Sequence, residues 1–61
     1  MSLSELLETC KEAVKKYPHR EKEIQELYYM ADEEIEEGGS EEYEVELALG
    51  SLKEIEEEEN A

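Results

Sequence analysis

The sequence has few of the parts that usually announce a function. A single cysteine, Cys10, stands alone among 61 residues, so no intrachain disulfide can staple the chain, and a lone thiol points to a reducing compartment or to an ordinary buried residue. Apolar runs are short. The longest is Leu27 to Ala31, far below the length that spans a bilayer, and nothing resembles a signal peptide, so the expected location is the cytoplasm. Glycine-rich phosphate loops are missing as well: Gly38-Gly39-Ser40 precedes a helical pattern, but acidic residues crowd the next four positions and would repel an anion.

Basic residues are scarce, and this scarcity is the strongest signal. Six Lys and Arg face twenty Asp and Glu, a formal net charge of −14. From Met1 to Arg20 the balance is +1, and from Glu21 onward it is −15. Such a chain repels nucleic-acid backbones and anionic membranes, which argues against direct binding to either and favours a protein partner. Self-repulsion also opposes compaction, so stability is expected to rise with added salt.

Low hydropathy with high charge is a disorder signature, but the patterning is helical. Ser2 followed by Glu5 forms a capping box, with Met1 placed to staple onto Leu6. Leu3, Leu7, Cys10, Val14 and Tyr17 then recur at helical spacing, widened by Leu6 and Ala13. Pro18 stops this helix and is at home in the first turn of the next. The second helix is expected from Pro18 or His19 to Glu37, with Ile24, Leu27, Tyr28, Ala31 and Ile35 buried. Gly38 suits a left-handed helix end and Ser40 a new N-cap, and a third helix runs to about Glu57. Its acidic end sits at the wrong pole of the helix dipole, so residues 58–61 are expected to form a frayed tail.

Glu42 to Leu49 also alternates polar and apolar residues, as a half-buried strand would. No second strand is available to pair with it, and Ala48, Leu49, Leu52 and Ile55 continue the helical spacing, so a helix is expected. The expected fold is all-α, a three-helix bundle over residues 1–57 made of a tight helical hairpin and a third helix, and oligomeric. Its core is drawn from Leu3, Leu7, Cys10, Val14, Ile24, Leu27, Tyr28, Ala31, Ile35, Val45, Ala48, Leu49, Leu52 and Ile55, a thin set for a chain of marginal size.

No catalytic group emerges. His19 lacks a nucleophile or orienting partner at any useful spacing, and Cys10 lies on an apolar stripe. Neither a calcium loop nor a Glu-x-x-His pair occurs, so the run Asp32, Glu33, Glu34, Glu36 and Glu37 offers no more than diffuse cation binding, and neither cofactor nor metal is expected. In outline, Leu27 to Ile55 is similar to a helix-turn-helix repeat of the tetratricopeptide kind. Its small-residue and aromatic spacings do not line up, and the chain holds less than two such periods, so no family is assigned.

Two functions follow. The first is a small acidic helical interaction module, non-catalytic, that acts as a homodimer or as a subunit with another protein, using Tyr29, Met30, Tyr43, Leu47 and Gly50 as its contact surface. In the third helix, Tyr43, Leu47 and Gly50 lie nearly opposite the stripe of Val45, Ala48, Leu49 and Leu52, which calls for a second partner. Gly50 inside a helix costs about 1 kcal/mol, and close approach by another backbone would explain its presence. The second is an inhibitor that mimics nucleic acid, with Glu33, Glu34, Glu37, Glu41, Glu44 and Glu54 imitating phosphates against a DNA- or RNA-binding protein.

Overall fold

Ser2 starts the fold as its sequence predicts. In the computed structural model, which describes all residues from Met1 to Ala61, its hydroxyl accepts the Glu5 amide at 3.3 Å while its own amide donates to the Glu5 carboxylate at 3.3 Å. These reciprocal bonds satisfy donors that the first helical turn leaves free. Helix α1 spans Leu3–Lys16. Tyr17 then leaves helical geometry, with φ −128° and ψ 67°, as a residue before proline must.

The second helix begins later than expected. Pro18–Arg20 is a separate 3-10 turn, closed by the Arg20 amide donating to the Tyr17 carbonyl at 2.9 Å, and α2 runs over Glu21–Glu36. The tighter i to i+3 bond lets the chain reverse within a few residues. At its far end α2 stops in a full Schellman motif. The Gly39 amide reaches the Glu34 carbonyl at 2.8 Å and the Gly38 amide reaches Ile35 at 3.1 Å, with Gly38 at φ +103°. Gly39 is needed for a different reason: a Cβ there would lie 2.8 Å from the Glu34 carbonyl oxygen.

Ser40 caps α3, its hydroxyl accepting the Tyr43 amide at 3.3 Å. Helix α3 spans Glu41–Glu59, so the alternation over Glu42 to Leu49 resolves as helix, and the helix continues past the expected boundary at Glu57. The three helices form an up-down-up bundle about 35 Å long and 16 Å across. The starts of α1 and α3 share one end, where the Leu3 amide donates to the Glu41 carboxylate at 3.0 Å.

Nine side chains form the buried core: Leu6, Cys10, Ala13, Ile24, Ala31, Val45, Ala48, Leu52 and Ile55. On α1 this corrects the expected stripe. Leu6, Cys10 and Ala13 are its centre, while Leu3, Leu7 and Val14 are only half-buried. A helix that packs against two neighbours points its midline between them, and the residues flanking that line face the grooves. Ile35, Leu27, Tyr28 and Leu49 are likewise half-buried. Each helix contributes one fully enclosed large side chain, Leu6, Ile24 and Val45, and at about 1.5 to 3 kcal/mol apiece these anchor the packing. No helix is long and apolar enough to cross a membrane.

Candidate functional site

Two of the surface grooves along the bundle are lined mainly by apolar side chains, and their walls differ. The groove between α1 and α2, about 440 Å³, is floored by Leu7, Cys10, Val14 and Tyr28, with Tyr29 at its edge and Lys11, Lys15 and Glu21 around it. The seam between α2 and α3 contains a groove of about 250 Å³ lined by Leu27, Met30, Ala31, Leu47 and Ala48, with Glu34 and Glu44 beside it. This seam continues toward the other end of the bundle past Leu27, Met30 and Ser51 to Glu23, Glu26, Glu54 and Glu58.

The five residues expected to form one contact surface are all exposed, Met30 by 63% and Leu47 by 51%. They do not all line one groove. Met30 and Leu47 line the same α2–α3 groove, whereas Tyr29 belongs to the α1–α2 groove and packs its ring edgewise on Tyr28 at 5.8 Å. Tyr43 and Gly50 line neither. Adjacent positions on a helix are about 100° apart, enough to turn Tyr29 and Met30 toward different grooves of α2. A Cβ at Gly50 would meet nothing within 4 Å, so no neighbour within the chain accounts for that glycine.

The six nominated carboxylates also divide. Glu34, Glu44 and Glu54 border the α2–α3 seam. Glu41 is occupied by the Leu3 amide. Glu33 and Glu37 are exposed, near the end of α2.

Sequence reasoning missed Arg20. Its guanidinium donates to Glu23 at 2.8 Å and 3.1 Å, to Glu58 at 2.9 Å and to Glu59 at 3.1 Å. Glu59 also meets His19 Nε2 at 2.7 Å. The hydrogen bond from Arg20, and then that from His19, holds the Glu59 carboxyl below its usual range, and the three carboxylates push the Arg20 pKa upward. Four acids at the C-terminus of a helix oppose its dipole, and one arginine from the α1–α2 turn offsets that penalty. The clue was in the sequence: a helix ending in Glu56 to Glu59 needs a cation from elsewhere, and Arg20 is the only arginine.

Cys10 is buried and its thiol is pushed up by desolvation. No group of three or more His, Cys, Asp or Glu side chains converges to hold a metal ion. The fold places the chain in the class of small all-α three-helix bundles. No protein-family model matches it, and no curated protein or solved structure matches it either.

Proposed function

We propose that this protein is a non-catalytic interaction module that binds another protein through the seam between α2 and α3. The observation that carries this reading is the pairing of Met30 and Leu47. Two long apolar side chains, more than half exposed, line one groove over Leu27, Ala31 and Ala48, and nothing in the chain covers them. Isolated exposed apolar residues are ordinary, but a contiguous strip with a polar border is the form that helix-binding surfaces take. A non-catalytic role agrees with the chemistry available. Cys10 is buried, and desolvation raises its thiol pKa, away from the reactive thiolate, and His19 bonds a carboxylate with no nucleophile among its partners.

Charge alone, as in nucleic-acid mimicry, would not need an apolar strip between the carboxylates, and one nominated acid, Glu41, is already engaged. Quantitative affinity capture separates the two readings. Leu47→Glu should keep the helical content, because the side chain stands half in water, yet lose the captured protein, while Tyr29→Glu retains it. Capture that survives Leu47→Glu and is displaced by duplex DNA or RNA would support the mimic instead. Sedimentation of the wild type at micromolar concentration tests whether the chain also self-associates.

A further inference from the structure

On the reading that the α2–α3 seam binds protein, we infer that its occupant is a basic amphipathic helix. Four carboxylates border the seam, Glu26, Glu34, Glu44 and Glu54, and none of them is paired with a basic side chain. The remaining two acids on it, Glu23 and Glu58, are held by Arg20. The surface therefore presents an apolar line of Leu27, Met30 and Leu47 with uncompensated negative charge toward both of its ends, Glu34 and Glu44 at one and Glu26 and Glu54 at the other.

That pattern is the complement of a helix with apolar residues on one face and lysine or arginine flanking them. Its dimensions agree. Glu26 to Glu34 spans roughly 12 Å along α2 and Glu44 to Glu54 roughly 15 Å along α3. An apolar stripe repeated at i, i+4 and i+7 covers roughly 10 Å. Such a partner places cations opposite the carboxylates and apolar side chains over Met30 and Leu47.

A second copy of this chain is a poorer occupant. A two-fold contact across the seam would set its own four unpaired carboxylates against four more, between molecules that each carry −14, and like charges across an interface oppose association. The α1–α2 groove makes no such demand. Its border mixes Lys11 and Lys15 with Glu21 and selects no single charge.

The test titrates the full chain into a fluorescent synthetic peptide of about three helical turns, with leucines at i, i+4 and i+7 and lysines beside them. A scrambled peptide of the same composition and a glutamate-for-lysine version serve as controls. The lysine peptide should bind and gain helical circular dichroism, the scrambled peptide should bind at least about tenfold more weakly, and the glutamate version should not bind. Leu47→Glu and Met30→Glu should each weaken binding by about tenfold or more, a hot-spot effect, while Tyr29→Glu leaves it nearly unchanged.

Equal binding of the scrambled peptide would reduce the surface to charge alone, and a loss with Tyr29→Glu as large as with Leu47→Glu would move the site to the other groove. Either result overturns the inference. If no peptide binds but the wild type self-associates and Leu47→Glu makes it monomeric, the inference fails while the protein-binding reading stands. If neither peptide binding nor self-association is found, the inference fails, and the protein-binding reading falls with it only if Leu47→Glu also leaves affinity capture unchanged.

Discussion

At one end of the bundle the chain is closed by backbone and capping hydrogen bonds, and at the other by ion pairs. Where α2 turns into α3, the Gly38 and Gly39 amides and the Ser40 hydroxyl satisfy the helix ends within a few residues, and Glu41 reaches the neighbouring start of α1. Where α1 turns into α2, Arg20 draws in Glu58 and Glu59 from nearly forty positions away, with His19 beside it. The first closure depends on conformation, which salt hardly touches. The second depends on charge, which salt screens within about 10 Å at 0.1 M. One molecule thus has an end set locally and an end set by its tertiary structure.

The largest expected effect sharpens the first half of that contrast. Gly39→Ala would press a methyl group onto the Glu34 carbonyl oxygen, 2.8 Å from the added Cβ, and should destabilise the protein by about 1 to 3 kcal/mol, the usual range for forcing carbon into filled space. Urea denaturation measures it. A loss below about 0.5 kcal/mol, the level of an indifferent surface change, would show that the turn yields and is not conformationally set.

Arg20→Gln should act more locally. Amide exchange over Glu56 to Asn60 should quicken while the global midpoint moves less than in Gly39→Ala. Salt should then have two opposite effects on the wild type. It should raise the melting temperature, because it screens the repulsion of a chain at −14, and it should speed exchange in the last turn of α3, because it screens the Arg20 pairs. A last turn whose exchange is indifferent to both Arg20 and salt would break the comparison.

The smallest effect concerns pH. Glu59 is held below the usual glutamate range by Arg20 first and by His19 second. A carboxyl depressed in the folded state contributes stability that is complete above its unfolded pKa and is lost as pH falls through the folded value. The Glu59 link should therefore be intact at neutral pH and fail only in acid, below the ordinary glutamate range. Carbon-detected NMR titration of the Glu59 carboxyl should show the midpoint rising toward that range in Arg20→Gln. An unchanged midpoint would detach Glu59 from Arg20.

Much of this fold was legible because its signals are local. Ser2 with Glu5, Pro18, Gly38 and Ser40 each act within about four residues, so their roles could be assigned without knowing where any helix lies in space. The rotation of α1 was not legible. Leu3, Leu6, Leu7 and Val14 are all apolar, and only the presence of two neighbouring helices decides that Leu6 is enclosed while Leu7 faces a groove. The candidate surface was half legible for the same reason. Met30 and Leu47 stand out as apolar residues off their stripes, but adjacency along the chain is not adjacency on the surface, and the ridge of α2 parts Tyr29 from Met30.

By itself the sequence determined three helices, their caps and turns, and a strongly negative surface, because capping, helical periodicity and net charge depend only on residues close along the chain or on their sum. The tertiary structure alone decided that Met30 and Leu47 line a common groove, that four unpaired carboxylates border the α2–α3 seam, and that Arg20 secures the far end of α3. Met30 and Leu47 are 17 positions apart and Arg20 and Glu59 are 39 apart, and no local preference encodes such relations. They exist only once the three helices have chosen which faces to bury.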